Sequence, residues 1–166
     1  PNTVFKDTLF TNNSSISKKT EGTVGGYALG GAISVDFSTG NATGEERDSD
    51  VTFKITKDLT YFGNTVSSDS TADVFDTYGY HLNSAAAGGF LFLDRGSDAL
   101  FDIDEGATLT IGQTVTSDDT DSIASSIPNQ GTTNNDGKHA SIKKVGAGNL
   151  VINSSLNKYY GTVDVE

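Results

Sequence analysis

The sequence predicts an all-β fold: a right-handed parallel β-helix, a solenoid built as a single-stranded coil from which longer connections protrude as loops. Three observations lead there. With 19 Gly, only 2 Pro, frequent Thr, Ser, Asn and Asp, and apolar residues in short runs, the composition describes brief strands between polar turns. No window repeats apolar residues at i, i+3, i+4 and i+7 over more than two turns without a Gly or a β-branched run interrupting it. Finally, two sequence elements recur at unequal spacing, which a coil accommodates by extruding a loop and a closed barrel or sandwich does not.

The repeated elements define the unit. Phe10-Thr11-Asn12-Asn13-Ser14 is matched by Tyr61-Phe62-Gly63-Asn64-Thr65, 51 residues later. Gly30-Gly31-Ala32-Ile33-Ser34-Val35-Asp36 is matched by Gly88-Gly89-Phe90-Leu91-Phe92-Leu93-Asp94, 58 residues later. The aromatic is expected to stack on its equivalent in the next rung. The Asn is expected at a corner, bonding backbone and tolerating positive φ, and the paired Gly permits a sharp turn with close backbone approach before a strand. Strands are predicted at 51–55, 89–94, 99–103, 107–111, 141–145, 149–152 and 162–165. At about 20 to 25 residues per turn the chain would make roughly seven rungs. The polar stretches 40–50 and 116–138 read as protruding loops.

Composition narrows the function classes. At 166 residues the chain is long enough to bury one continuous core. A mean hydropathy of -0.32 is low, but 9 Phe and 6 Tyr spread along the sequence argue against disorder. The formal net charge of -11 repels phosphate backbones and anionic bilayers, so nucleic acid is not an expected partner. The absence of Cys excludes disulfides, thiolate metal sites and a Cys nucleophile. No apolar run approaches the roughly 18 to 20 residues that span a bilayer, and the first residues lack the pattern of a signal peptide. Because the strand pattern runs to Glu166, the sequence is expected to be a piece of a longer chain.

The most specific motif is at the end: Ile142-Lys143-Lys144-Val145-Gly146-Ala147-Gly148-Asn149-Leu150-Val151-Ile152, then polar residues, then Tyr159-Tyr160-Gly161-Thr162-Val163-Asp164-Val165. This resembles the passenger-associated strand repeat of bacterial autotransporters, which runs Lys-x-Gly-x-Gly-Thr-Leu-x-Leu, then Tyr-x-Gly and a strand ending in Val. Lys144, Gly146, Gly148, Leu150, Ile152, Tyr159, Gly161, Val163 and Val165 match the pattern. Asn149 stands where Thr is common, Ser154 where Gly is common, and one extra residue precedes Tyr159. The upstream Phe-x-x-Asn and Gly-Gly-Ala elements resemble repeats of polymorphic outer-membrane autotransporters. The resemblance implies one β-helical passenger fragment over 1–166, with irregular rungs and loops over 1–139 and the strand repeat over 140–166. It also implies export to the bacterial cell surface through an outer-membrane barrel outside this sequence, which would be the fragment's sole membrane contact.

Catalytic chemistry has little support in the residues. A Ser-His-Asp arrangement would have to use His81 or His139, and no Gly-x-Ser-x-Gly elbow accompanies either. For carbohydrate chemistry the candidates are Asp94, Arg95, Asp102, Asp104 and Glu105. Asp102 and Asp104 are two apart on a strand and share a face, with Phe101 and Ile103 facing in. Calcium is conceivable at Asp118, Asp119 and Asp121, although neither an EF-hand loop nor a Gly-Gly-x-Gly-x-Asp nonapeptide is present. No other metal or cofactor is expected. The candidate binding residues are Asp73, Asp76, Tyr78, Tyr80, Asp94, Asp118, Asp119 and Asp121.

Three functions follow from these readings. The first is a non-enzymatic module for adhesion or self-association, binding a host-surface or extracellular-matrix ligand or a second bacterial copy. The second is a structural, autochaperone-like segment that supports passenger folding and secretion. The third is a carbohydrate-active enzyme.

Overall fold

The computed structural model describes residues 2–18, 27–35, 38–40, 45–47, 49–68, 85–94, 96–113, 120–125, 139–154 and 159–166. The described residues are all strand, turn and connection, with no helix. A first circuit contains β1 (Asn2–Lys6), β2 (Ser14–Ser17), β3 (Tyr27–Leu29) and β4 (Ile33–Val35), followed by β5 (Ser38–Gly40) and β6 (Glu45–Arg47). A second contains β7 (Asp50–Ile55), β8 (Leu59–Tyr61), β9 (Thr65–Ser68), β10 (Ala85–Ala87) and β11 (Leu91–Leu93). A third holds β12 (Asp98–Ile103), β13 (Thr108–Ile111) and β14 (Ile123–Ala124), a fourth β15 (Ala140–Val145) and β16 (Asn149–Ile152), and β17 (Gly161–Val165) begins a fifth.

Equivalent strands of successive circuits pair in parallel. The largest sheet has the order β1-β7-β12-β15-β17, and the others are β8-β13-β16, β4-β11-β14, β2-β9 and β3-β10. Among the described residues the antiparallel pairings are β5 with β6 and the isolated bridge between Thr65 and Thr120. The repeats read from sequence coincide with this register: Ser14 lies beside Thr65, Thr11 beside Phe62, and Ile33 beside Leu91. The same pairings partly correct the expected rung length. Partners are 48 residues apart from Asn2 to Asp50 and from Asp50 to Asp98, and 43 apart from Asp98 to Ser141, about twice the expected 20 to 25. From Ala140 to Gly161 the interval is 21 residues, the expected length. The earlier circuits are longer because further strands and connections intervene before the chain returns to the same sheet.

In-register parallel pairing sets like-facing side chains one above another. Along β7 and β12 the odd residues Val51, Phe53, Ile55 and Ala99, Phe101, Ile103 are buried, and the residues between them are partly or fully exposed. Phe53 stacks on Phe101 at 4.8 Å and 9°, and Phe5 continues the row at 6.0 Å. Tyr61 and Phe90 close the interior from other sides, with ring centroids 5.0 Å apart. Each fully buried Phe contributes about 1.5–3 kcal/mol of transfer free energy. β11 is buried on both faces: Leu91 and Leu93 enter this core, while Phe92, pointing the other way, packs with Ala87, Ala124 and Leu29 in a second cluster.

The paired Gly corner has two separate causes. Gly30 and Gly88 adopt φ of 65° and 74°, a region costly for L side chains. A Cβ on Gly31 would collide with the carbonyl of Gly89, the residue stacked beneath it in the next circuit. The expected loops are partly corrected. Within 40–50 the β5–β6 pair occupies part of the stretch, and Asp50 starts a strand. Within 116–138 the described residues 120–125 turn inward, and Ile123 is fully buried as part of β14. A two-residue apolar step, Ile123-Ala124, gave too short a signal to separate it from its polar flanks.

Candidate functional site

The Asn-bearing corner forms a polar ladder through three circuits. Asn64 is fully buried. Its Oδ1 accepts from Asn13 Nδ2 at 2.8 Å and from Asn13 N at 3.2 Å. Its Nδ2 donates to the Phe10 carbonyl at 3.0 Å and to Asp121 Oδ1 at 3.0 Å. Asp121 also accepts from the backbone of Asn64 and of Gly63, each at 2.9 Å. Positive φ belongs to Asn12, Gly63 and Asp121, so in the first two circuits it falls one residue before the Asn for which it was expected. Every hydrogen-bonding atom of the Asn64 side chain is used, which allows a polar group to sit at the core's edge.

A second cluster lies on the outer face of the five-stranded sheet. Lys54 Nζ contacts Asp104 Oδ1 at 2.6 Å and Asp102 Oδ2 at 2.9 Å. These hydrogen bonds, Asp104's first and then Asp102's, hold the ammonium above its ordinary pKa. The outward Asp pair expected from sequence is therefore present, with Phe101 and Ile103 buried behind it, but Lys54 neutralises much of its charge. At the neighbouring corner Asp7 accepts from Thr56 Oγ1 at 2.7 Å and Thr56 N at 2.8 Å. These bonds lower its carboxyl pKa.

Of the candidate binding residues, Asp73, Asp76, Tyr78, Tyr80, Asp118 and Asp119 lie outside the described residues, as do His81 and Arg95. Asp94 is half-buried after β11, its N–H donating to the Val35 carbonyl at 2.9 Å and its carbonyl accepting from Ser97 N at 3.1 Å. Asp121 was expected on a loop surface. It is only 3% exposed, with both carboxylate oxygens turned onto the corner. The structure does not bring Asp94 and Asp121 into one site. Among the described residues, no group of three or more His, Cys, Asp or Glu is placed to hold a metal ion. His139 is exposed just before β15.

The terminal motif shows why it needs its residue types. Lys144 is in register with Phe101 and so follows the aromatic row on the inward face of β15. Its ammonium turns back to the Gly146 carbonyl. Gly146 has φ of 82°, and a Cβ there would strike the Ile103 carbonyl of the previous circuit. The Tyr159 hydroxyl lies 2.7 Å from the Thr162 carbonyl and 3.2 Å from that of Ala140, bridging β15 and β17. Burial, and next the charge of Asp98, push its pKa up to about 12.

Apolar side chains are exposed in the first circuit and in the last coils. Among the described residues the exposed large hydrophobics are Val4, Leu9, Ile16 and Tyr27 in the first circuit, and Val151, Tyr160, Val163 and Val165 in the last coils. At the first end a cavity of about 380 Å³ opens between β1 and β4, lined by Thr3, Phe5, Ile33, Val35 and Val51 among others.

These features describe an all-β chain of stacked parallel sheets whose polar groups serve its corners and outer face. A stretch of 83 residues, 50% of the chain, is 37% identical to the probable autotransporter YfaL of Escherichia coli (strain K12). The match covers 6% of that protein's length and supports an autotransporter-related origin for this chain. No protein-family model matches the sequence. No solved structure matches it either.

Sequence reasoning missed the partnership of Asn64 with Asp121, because the two are 57 residues apart and Asp121 sits in a Ser- and Asp-rich run. It also missed Lys54 as the partner of Asp102 and Asp104. The only signal was strand alternation, which places Lys54 on the outward face of its strand but does not give the pairing register.

Proposed function

We propose that this chain is a segment of an autotransporter passenger, folded as a right-handed parallel β-helix and exported to the bacterial surface, where it acts in adhesion or self-association and not in catalysis. The observation that carries the reading is the coincidence of sequence repeat with stacking register: Phe-x-x-Asn on Tyr-x-x-Asn and Gly-Gly on Gly-Gly. A coil with such a repeat offers a long, wet outer face suited to contacts made in rows. The relative in Escherichia coli (strain K12) supports the passenger assignment. A carbohydrate-active reading has less support, since Asp102 and Asp104 are both bonded to Lys54.

A second reading, an autochaperone-like role for 140–166, draws on the Tyr159 bridge that closes the last coil onto β15. To test the main reading, the chain would be displayed on Escherichia coli through an unrelated autotransporter barrel. Faster settling of the cells, or their retention on matrix-coated plates, is the expected result. Folded, surface-exposed chain that changes neither would overturn it. Normal export after deletion of 140–166 would overturn the second reading.

A further inference from the structure

We infer that the outer face of the β8-β13-β16 sheet binds an uncharged, extended polysaccharide laid along the coil axis; this rests on the adhesion reading and assigns it a surface and a ligand class. On β13 Leu109 and Ile111 are buried, so Thr108 and Thr110 point outward. β13 is flanked on both sides, by β8 and β16, and the register continues its outward rows. Thr60 lies beside Thr110 and Thr110 beside Val151, while Thr108 lies beside Asn149. Phe62 follows β8, half-buried and packed into neither core cluster. The Gly112 N–H donates to the Tyr61 carbonyl at 2.8 Å, which sets a residue without a side chain next to Phe62.

Charge sets this face apart. The outward positions of β8, β13 and β16 carry no Asp, Glu, Lys or Arg, whereas those of β7, β12 and β15 carry Asp50, Lys54, Asp98, Asp102 and Lys143. In a chain of net charge -11, a side without charge loses its water at low cost while the surrounding field repels anions. That field opposes a second copy, which brings the same charge, and acidic glycans, but not a neutral sugar chain. The Thr hydroxyls and the Asn149 amide both donate and accept, as sugar hydroxyls do. The Thr and Val methyls and the Phe62 ring suit the C–H faces of a sugar ring. Successive coils repeat at the strand spacing of about 4.8 Å, close to the length of one residue in an extended β-1,4-linked glycan, so consecutive sugars meet consecutive coils. Asp58 borders the face at the preceding corner, with Oδ1 accepting from Thr108 N at 2.8 Å. Its other oxygen supplies an acceptor for a sugar hydroxyl.

Affinity electrophoresis of the 166-residue chain tests this, in native gels that hold hydroxyethyl cellulose, galactomannan or carboxymethyl cellulose. The two neutral polymers should retard the wild type, and carboxymethyl cellulose, the same backbone carrying carboxylates, should not. Phe62→Ala should weaken binding about tenfold. Thr110→Glu, a charge at the centre of the face, should weaken it at least about tenfold. Thr52→Glu, outward on the five-stranded sheet, should leave it unchanged, and circular dichroism of each variant should match the wild type. Retardation that survives both Phe62→Ala and Thr110→Glu overturns this face, as does equal retardation by carboxymethyl cellulose. Self-association that Thr110→Glu abolishes, seen by sedimentation velocity without any retardation, overturns the glycan and gives the face to a second copy. Cells that display the chain and adhere or settle although no neutral polymer retards it overturn the glycan alone and keep adhesion. Neither retardation nor adhesion overturns both.

Discussion

β12 and β17 are strands of one sheet with the same inward and outward alternation of side chains, yet they differ in burial at every inward position. In β12 Ala99, Phe101 and Ile103 are all but inaccessible. In β17 every residue is exposed, including Val163 and Val165. Composition does not explain the contrast, since a β-branched Val suits a sheet interior as well as Ala does. Position does: among the described residues of this 166-residue stretch β12 is flanked by β7 and β15, whereas β17 pairs with β15. In stacked architectures stability is a sum of terms between nearest neighbours, and a strand with one neighbour has about half of them.

The sharpest way to break this comparison is to truncate one inward side chain on each strand. Phe101→Ala removes a fully buried ring stacked at 4.8 Å on Phe53. It should cost about 3–5 kcal/mol. Val163→Ala should cost less than about 1 kcal/mol, because the side chain is half in water already. Urea unfolding gives both values. Native-state hydrogen exchange adds a second readout, with β17 amides exchanging by local opening and β12 amides only with the bulk of the fold. Equal costs for the two truncations would show that the end coil is as well supported as the middle.

The next largest effect is expected at the polar corner, where the ladder has a direction. Asp121 only accepts hydrogen bonds as a carboxylate, so Asn64 must donate to it while accepting from Asn13. Asn64→Asp removes the donor and sets two buried carboxylates against each other, at a cost of about 3 kcal/mol. Adding Asp121→Asn should recover part of the loss. If Asn64→Asp unfolds at the wild-type midpoint, or the second substitution recovers nothing, the drawn polarity of the ladder is wrong.

How much of this was legible in the sequence depends on whether a feature is local or relational. Strand alternation is local, so 51–55, 99–103, 141–145 and 149–152 were readable, and the four strands found there agree to within a residue. The repeat was relational but marked by identical residue types, Asn on Asn and Gly on Gly, and it gave the register of β9 on β2 and β11 on β4. The repeat spacings of 51 and 58 residues are themselves lengths of the circuit between these strands, whereas the generic solenoid value of about 20 to 25 residues holds for the last coil, 21 residues from Ala140 to Gly161. Asp121 was misplaced because the marker residue changes. In the third circuit the corner residue is Asp, which breaks the Asn pattern even though it occupies the next step of the ladder. The outward pair Asp102 and Asp104 was read correctly from alternation, but its cation came from the strand below, 48 and 50 residues away.

The smallest effects test the same contrast with one substitution made twice. Tyr61 is buried in the central circuit among Phe10, Phe53 and Phe90, and its hydroxyl makes no hydrogen bond among the described residues. Tyr159, in the end coil, places its hydroxyl on the Thr162 and Ala140 carbonyls. Tyr61→Phe should therefore gain about 1 kcal/mol at pH 7 by removing a dehydrated hydroxyl, and Tyr159→Phe should lose about 1 kcal/mol by removing a bond. Alkaline pH supplies the second arm. Burial first, and then the Asp7 charge, raises the Tyr61 pKa, while burial and Asp98 raise that of Tyr159 from 10.0 to about 12. A group whose folded pKa is raised contributes fully below its unfolded value and loses that contribution as pH climbs through the folded one. Stability should accordingly fall between pH 10.0 and about 12 as the unfolded chain releases phenol protons that the folded chain retains. Lys54, raised from 10.5, falls on the same limb, so the comparison is made between variants and not from the wild-type slope alone. Urea midpoints at pH 7 and at pH 11 measure it: both Phe variants should flatten the alkaline fall, while at pH 7 they move stability in opposite directions. Two variants of the same sign at pH 7 would mean that the hydroxyls occupy equivalent surroundings, contrary to the contrast between central and terminal coils.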